Sequence, residues 1–419
     1  MVMAISSAIR RLRENNEGFK QLILTADEIS LRGNNDQGQE DLRHSSRASG
    51  ANIPELIEAI LGNYTVQSVF LDHFFAVNLE ADDICRLFDA LGSLPKLNQF
   101  SVLSREAEGW SVPLHAIASF LHRTKRLTSL RMSSIGLNGT GEEFDYLTKV
   151  IQDQTLLKEF CLRGACIVDG EIPVDKLLRV LSSLPLLEKI ELTAMDLHTN
   201  LQGVWPTRPS SALRFCYSSS LKSLELGGWV LDEDLVVEMA KALETNTSLR
   251  SLVMLDNHIT DKGCMALAKT LTVNQTIERL DLSSNHITDT GCQALANSLA
   301  SNRSLKEIGL FGKRQAHSRD AFLRVLRHEN LDLEDLLLDS VWDAEMNFYL
   351  NLNRIGRHRL LKDPSFGRAQ WVDCLNDLQS TKQSICDAPN DTLSNLFYFV
   401  MAKPHFVYNE ISNTATAGE

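Results

Sequence analysis

The chain has 419 residues, of which 43% are hydrophobic and 23% are charged, a composition typical of folded globular proteins rather than disordered ones. Its 42 lysine and arginine residues are outnumbered by 54 aspartate and glutamate residues, and the net charge of −12 argues against nucleic acid as the main partner. No apolar run reaches the roughly 18 to 20 residues that a membrane-spanning helix needs.

The location of the protein is predicted from its cysteines and its first residues. The eight cysteines are scattered along the chain without a CxxC pair, as expected for reduced thiols in a cytoplasmic or nuclear protein. The start, MVMAISSAIRRLRENN, lacks the long apolar core of a secretion signal. We therefore expect a cytoplasmic protein, with the nucleus as an alternative.

A strand frame of the form LxxLxL recurs along the chain. Successive frames are 47, 31, 30, 30, 30 and 34 residues apart in the first half and 28 residues apart in the second. Such self-similarity is the signature of stacked repeats, and about eleven repeats are expected within residues 1–342. The frames begin at Phe19, Val66, Leu97, Leu127, Leu157, Leu187, Leu221, Leu249, Ile277, Leu305 and Leu333.

Each repeat changes its hydrophobic period halfway along. In LRSLVML the buried positions, Leu252 and Met254, alternate with positions on an open face, such as Val253, which is typical of a strand. In TDKGCMALAKTL the apolar residues recur at helical spacing, and Thr260 stands where a helix N-cap is favoured. Because one repeat cannot bury both apolar faces, neighbours must stack. The predicted fold is an α/β solenoid, a horseshoe with a parallel sheet on its concave face and helices on its convex face.

The repeats from Leu249 and Ile277 share the pattern LxxLxLxxNxIxxxGxxxLxxxL. This pattern resembles the ribonuclease-inhibitor-like class of leucine-rich repeats, strongly over Leu221–Ser304 and fairly over Leu97–Pro185. In that class the asparagine of the motif bonds to backbone in the turn, and different turns are expected where it is absent. The asparagine is present as Asn257 and Asn285, and other repeats carry Trp229, Ala165, Met195, Ile135 or Phe74 at this position.

Two insertions interrupt the repeats. Ser30–Gly50 is polar and rich in glycine, which predicts a mobile loop. Thr199–Ser220 replaces the expected helix with a segment that carries Trp205 and Arg208. This second insertion is either a contact surface or a degenerate repeat whose aromatic residues pack on the core.

Residues 343–419 lack the strand frame but have apolar residues at helical spacing. Phe348, Leu352 and Ile355 form the first of three such stripes, so three short helices are expected. An open solenoid exposes the edge of its last strand and its apolar layer. We therefore interpret this segment as a helical C-terminal cap.

Signatures of catalysis and of metal binding are absent from the sequence, so neither an enzyme nor a cofactor is expected. LFGKRQ, for example, lacks the first glycine and the hydroxyl residue of a phosphate-binding loop. His258 and His286 share one repeat position, but two histidines without a third ligand make a poor zinc site. Cys264 and Cys292 occupy a helix position that should be buried. The sequons at Asn63, Asn246, Asn274 and Asn302 are interpreted as turn residues of the repeats.

Charged residues at strand positions predicted to face the concave side form the candidate binding site. Arg131 and Arg163 lie in adjacent repeats and are followed by Glu191, Glu225 and Asp281. A basic patch beside an acidic stretch suits a complementary protein surface, although solvated charges on an exposed sheet would give the same pattern. Arginine is enriched among residues that dominate binding, so the two arginines are expected to contribute most, with little effect of their reversal on stability.

The sequence therefore predicts a monomeric, non-enzymatic scaffold that binds a protein partner on its concave face, and neither nucleic acid nor a membrane. The segment with Trp205 and Arg208 is the competing site. One alternative is a regulator of a small GTPase, which would resemble the Ran GTPase-activating proteins, although their acidic C-terminal tail has no counterpart in VYNEISNTATAGE. Another is the substrate-recognition subunit of a ubiquitin ligase, although no F-box-like segment is found.

Overall fold

A computed structural model gives the structure of the protein. It describes residues 9–15, 17–24, 29–32, 53–72, 79–103, 111–133, 135–164, 166–167, 174–193, 209–229, 231, 233–312, 319–338 and 344–354. The strands are β1 (Gln21–Leu24), β2 (Ile29–Arg32), β3 (Ser68–Asp72), β4 (Gln99–Leu103), β5 (Ser111–Pro113), β6 (Ser129–Ser133), β7 (Gly136–Asn138), β8 (Glu159–Arg163), β9 (Cys166–Ile167), β10 (Lys189–Thr193), β11 (Ser223–Gly227), β12 (Ser251–Val253), β13 (Arg279–Asp281), β14 (Glu307–Leu310) and β15 (Asp335–Leu338).

The helices alternate with these strands. They are α1 (Ile53–Leu61), α2 (Ala81–Gly92), α3 (Leu114–Arg123), α4 (Gly141–Gln152), α5 (Val174–Ser182), α6 (Glu233–Leu243), α7 (Asp261–Val273), α8 (Asp289–Leu299), α9 (Arg319–His328) and α10 (Ala344–Arg354). Successive helices pack side by side on one face of the sheet. The strand and helix of each repeat thus form two layers, as the change of hydrophobic period predicts.

One large sheet runs through the described part of the chain. Its strand order is β15-β14-β13-β12-β11-β10-β8-β6-β4-β3-β1-β2, and neighbouring strands are parallel except at β1 and β2. The eleven parallel strands correspond to the eleven predicted repeats. The prediction of an α/β solenoid with a parallel sheet is therefore confirmed.

The core lies between the sheet and the helices. Leu252 and Leu280 face each other in register on β12 and β13, and both are almost fully buried. Towards the N-terminus the core contains aromatic rings: the ring centroids of Phe100 and Phe120 are 4.3 Å apart. Because this apolar layer is continuous from repeat to repeat, each repeat depends on its neighbours for burial.

The turn from strand to helix places one residue in the left-handed backbone region before the motif asparagine. Asp256 and Ser284 have φ values of 53° and 57° there. The Nδ2 of Asn257 donates to the Leu226 carbonyl at 2.9 Å, as the sequence class implies. Trp229 stands at the same position one repeat earlier, and its Nε1 donates to the Leu192 carbonyl at 2.9 Å. Without the asparagine, a different turn is expected at Trp229. For this hydrogen bond the expectation is wrong, because the indole N–H donates in place of the asparagine amide.

The turn from helix back to strand contains a ladder of buried asparagines. The side chains of Asn246, Asn274 and Asn302 make the same contacts in three successive repeats. The Nδ2 atom of each donates to two carbonyls of the preceding repeat, and the Oδ1 atom accepts from two backbone N–H groups of its own turn. The interpretation of the sequons as turn residues is confirmed, because all four asparagines are buried. The ladder continues beyond them at Asn330, which donates to Asn302 as that residue donates to Asn274. The sequon asparagines are Asn63, Asn246, Asn274 and Asn302.

The insertions differ in part from their predictions. Ser30 to Arg32, assigned to a mobile loop, belong to β2, which pairs antiparallel with β1 along the N-terminal edge of the sheet. The alternating ISLR sequence fits a strand, and the pairing satisfies the edge of β1. Residues 33–50 lie outside the described residues. In the second insertion, Ser210–Tyr217 form a 3₁₀-helix that contacts α5 and α6 and so occupies the place of the missing helix.

The predicted C-terminal cap is described only in its first helix. α10 contains Phe348 and Leu352, the first two residues of the first apolar stripe. It packs against α9, and the Nδ2 of Asn353 donates to the Leu333 carbonyl at 2.8 Å. Ile355 and the other two predicted helices lie outside the described residues, so the cap over 343–419 stays a prediction.

Candidate protein-binding face

The strand register places the predicted residues in one row across the sheet. Arg131 pairs with Cys161, which pairs with Glu191, and Glu191 in turn pairs with Glu225. Asp281 continues the row beyond Val253. Arg163 lies in a second row two residues further along each strand, next to Thr193. Both rows alternate with core residues and therefore point to the concave face.

Arg163 holds together a cluster of charges on this face. Its Nε contacts the carboxylate of Glu191, and its second terminal nitrogen is 3.5 Å from the Oε1 of Glu225. The ammonium of Lys189 lies 3.5 Å from the other oxygen of Glu191. Glu191 is only 2% exposed, whereas 51% of the Arg163 side chain is accessible. Glu191 is thus a buried counter-ion, and Arg163 is the part of the cluster that a partner could touch.

This cluster changes one expectation about Arg163. Reversal of Arg163 to glutamate was expected to leave stability nearly unchanged. In the structure, the reversal would remove one of the two cations beside the buried carboxylate of Glu191, leaving Lys189, and would add a like charge beside it. Loss of one partner of a buried ion pair is strongly destabilising. We therefore expect reversal of Arg163 to lower the stability of the protein.

Arg131 has its own counter-ion, Glu159. One terminal nitrogen of Arg131 donates to the Oε2 of Glu159 at 2.9 Å, and Ser129 donates to the same oxygen at 3.1 Å. Although burial raises the pKa of Glu159, these hydrogen bonds and the charge of Arg131 hold it below its usual range. Glu159 is therefore ionised at neutral pH, and it fixes a guanidinium whose side chain remains 44% exposed.

Glu159 belongs to a third row of concave residues, at the first position of each strand. Lys189, Arg279 and Glu307 lie in the same row. The face is not divided into a basic patch and an acidic stretch, because this row interleaves the opposite charges. The period-of-two alternation of the strands could have revealed the row, since Lys189 and Arg279 stand two residues before Glu191 and Asp281.

Asp281 contributes to the structure of the face rather than to its accessible surface. The carboxylate is buried, accepts a hydrogen bond from the Ser283 backbone at 3.0 Å and lies 3.7 Å from the guanidinium of Arg279. A Cβ on Gly309, which faces it in the next strand, would collide with the carboxylate. A direct contact between Asp281 and a partner would first have to displace these neighbours.

Apolar side chains are exposed at the C-terminal end of the same face. Phe311 is 58% exposed and follows β14, while Leu337 is 43% exposed on β15. Val253, by contrast, is only 5% exposed, although it was predicted to lie on an open face. Accessibility on this face therefore varies strongly from strand to strand, which the repeat pattern does not show.

The competing site is described only in part. Trp205 and Arg208 lie outside the described residues, so the prediction that they contact a partner stays a prediction. In the part that is described, Phe215 is buried against the core, whereas Tyr217 is largely exposed. The burial of Phe215 fits a degenerate repeat that packs on the core, and the exposure of Tyr217 fits a contact surface.

The paired histidines and cysteines lie in neighbouring turns and helices. The rings of His258 and His286 meet edge to face with centroids 4.9 Å apart. Among the described residues no group of three metal ligands is found. Cys264 and Cys292 are fully buried thiols, as predicted, and burial raises the pKa of Cys264 above its usual range.

The comparisons with known proteins bear on the regular repeats. Residues 221–326 match the family model described as the TMOD/LMOD leucine-rich domain. The chain is a leucine-rich-repeat protein. The repeats of strand and helix are compatible with the ribonuclease-inhibitor-like class, which the match does not assign. No curated protein sequence matches the chain.

Two solved structures are similar to parts of this leucine-rich-repeat protein. The leiomodin-1 actin-binding site 2 is 22% identical with a TM-score of 0.30, over 41% of this chain and 94% of that chain. TLR13 in its complex with ssRNA13 is 17% identical with a TM-score of 0.37, over 68% of this chain and 34% of that chain. In the described residues, no helix combines the length and the apolar character needed to cross a bilayer.

Proposed function

We propose that this protein is a non-enzymatic intracellular scaffold whose concave face binds one protein partner through Arg131 and Arg163. The observation that carries the proposal is that both guanidinium groups are about half exposed while carboxylates of the sheet hold them in place. A side chain that is already ordered loses less entropy when a partner binds. Guanidinium groups also bind carboxylates in a fixed planar geometry.

The exposed apolar residues extend the proposed surface. Phe311 and Leu337 lie exposed on the same concave face, and aromatic residues and arginine are enriched at protein interfaces. A partner that presents acidic groups to the arginines and an apolar side chain to Phe311 fits this arrangement. The scattered cysteines support a cytoplasmic or nuclear location.

Actin is the first named partner to test. Residues 221–326 match a family that includes leiomodin by name, and the similar segment of leiomodin-1 is called actin-binding site 2. The purified full chain should be titrated with monomeric actin and sedimented with actin filaments. Cross-linking in cell extract followed by mass spectrometry would identify other partners and the peptides they contact.

Variants then locate the surface. Arg131→Glu and Arg163→Gln should each weaken partner binding by about tenfold or more, because each removes a positioned guanidinium. Arg86→Glu on α2 is the matched control, since Arg86 is also exposed and ion-paired but lies on the convex side. Thermal melts separate loss of binding from loss of stability, which matters for Arg163. If both arginine variants bind normally and Trp205→Ala or Arg208→Ala does not, the insertion is the binding site.

A further inference from the structure

Three polar side chains on successive convex helices form a hydrogen-bonded row. The Sγ of Cys85 on α2 lies 3.1 Å from the Nε2 of His115 on α3. The Nδ1 of His115 lies 3.2 Å from the Oε1 of Glu143 in the first turn of α4. A nucleophile, a base and a carboxylate that orients the base thus come from three repeats.

Glu143 is fixed and ionised. Its Oε2 accepts the backbone N–H of Thr140 at 2.7 Å, and its own N–H donates to the hydroxyl of Thr140, which completes a capping box. The hydrogen bond from the Thr140 backbone is the main reason why the pKa of Glu143 lies below its usual range, and His115 lowers it further. The helix start therefore holds the carboxylate in one position.

The position of this carboxylate determines the tautomer of His115. An ionised carboxylate can only accept a hydrogen bond, so Nδ1 must carry the proton that faces Glu143. In the neutral ring, Nε2 is then an acceptor, and it faces the thiol of Cys85. The thiol is the donor of this bond. His115 is thus prepared to take the proton of Cys85, and Glu143 stabilises the imidazolium that results.

The other cysteines whose side chains the structure describes are buried, unlike Cys85. Cys216, Cys264 and Cys292 are fully buried in the core, and burial raises the pKa of Cys216 to about 12. Cys85 is partly accessible, and His115 is exposed beside it. Burial and the nearby Asp82 and Asp89 raise the pKa of Cys85, so the resting group is the thiol. Its reactivity therefore depends on His115.

We propose that Cys85 is a selectively reactive thiol that exchanges with low-molecular-weight disulfides, with His115 as its base and Glu143 as the positioning residue. The thiol proton moves to Nε2, and the thiolate attacks one sulfur of the disulfide. A new S–S bond to Cys85 forms as the original S–S bond breaks. The leaving thiolate takes the proton from the imidazolium, so atoms and electrons balance without another reactant.

The experiment uses the full chain and oxidised glutathione as the probe, with the peptide that contains Cys85 followed by mass spectrometry. His115→Ala should slow modification of Cys85 by about tenfold or more at neutral pH, and Glu143→Gln should slow it less. Glutamine retains an acceptor for the capping box. His122→Ala is the control, because His122 is exposed on the same helix and should leave the rate unchanged.

A pH series separates a base from a structural contact. The charged groups acting on Cys85 are Asp82 and Asp89 on its own helix and the row of His115 and Glu143. At a pH above the raised pKa of Cys85 the thiolate forms without a base, so His115→Ala and Glu143→Gln should both approach the wild-type rate there. His115→Gln provides a second variant if alanine reduces folding. An unchanged rate in both His115 variants, or a deficit that persists at high pH, would overturn the proposal.

Discussion

The regular repeats over 221–338 and the upstream repeats over 97–193 build one sheet but close their helix-to-strand turns differently. In the regular repeats, the Oδ1 of Asn302 accepts the backbone N–H groups of Ser304 and Leu305 at 3.1 and 2.8 Å. In an upstream repeat, the N–H of Leu157 donates instead to the backbone oxygen of Gln154 at 3.0 Å. The fold requires that these buried N–H groups be satisfied, and either a side chain or the backbone can do so.

The two regions also cap their helices differently. In the regular repeats, the carboxylate of Asp261 accepts the N–H of Thr288 at 2.8 Å and that of Gly291 at 3.0 Å, so one repeat caps the helix of the next. In the upstream α4, Thr140 and Glu143 form a capping box within their own repeat. Neighbouring regular repeats are therefore joined by polar contacts on both sides of the helix as well as by the core.

The largest expected effect comes from Asn302→Leu in the asparagine ladder. The change leaves four buried backbone groups without this partner: two carbonyls, at Leu271 and Asn274, and the two N–H groups of the Ser304 turn. Since each such group costs about 1 to 3 kcal/mol, the free energy of unfolding should fall by about 4 kcal/mol or more. Urea titration followed by circular dichroism measures this loss. A loss below about 1 kcal/mol would show that the ladder does not stabilise the regular repeats.

The strand register and the buried positions could be predicted from the sequence because they follow directly from its periodicity. Leu252 and Leu280 lie where the alternation places them. Periodicity does not give the exposure of each side chain on the concave face, and Val253 and Glu191 are both buried there. The hydrogen bond of Trp229 was also not predicted. Its indole N–H donates to the turn as an asparagine amide would, although the two side chains differ in shape.

The candidate site was predictable as a set of positions but not as a set of contacts. Arg131 and Arg163 were placed correctly in the concave rows. Their counter-ions, Glu159 and Glu191, depend on rotamers and on neighbours in other repeats, which one sequence does not specify. The row of Cys85, His115 and Glu143 was not predicted because its members stand about 30 residues apart, on helices of different repeats.

An intermediate effect is expected from Asp261→Asn, which tests the cap between regular repeats. Although burial raises the pKa of Asp261, hydrogen bonds from Thr288 and Gly291 lower it below its usual value. A carboxyl with a lowered folded pKa stabilises above its unfolded pKa and loses that contribution as pH falls through the folded pKa. The variant should lose about 0.5 to 2 kcal/mol at pH 7. Urea titrations should show this difference shrinking below about pH 4, and a difference independent of pH would exclude a charged cap.

The smallest effect is expected from Gln154→Leu, the upstream counterpart of Asn302→Leu. Gln154 is buried, and its Nε2 donates to the Leu121 carbonyl at 2.7 Å. Its Oε1 has no hydrogen-bond partner among the described residues, and the backbone already satisfies the N–H of Leu157. Leucine therefore removes one hydrogen bond and also a poorly satisfied oxygen, and these effects oppose each other.

The free energy of unfolding should consequently change by about 1 kcal/mol or less in Gln154→Leu, since a single neutral hydrogen bond contributes about that much. The same urea titration as for Asn302→Leu measures this change. The loss of unfolding free energy in Gln154→Leu is then compared with the loss in Asn302→Leu. If Gln154→Leu costs as much as Asn302→Leu, the upstream turns depend on their side chain as strongly as the regular ones. The backbone bond of Leu157 would then not replace the asparagine, and the two regions would share one mechanism of turn closure.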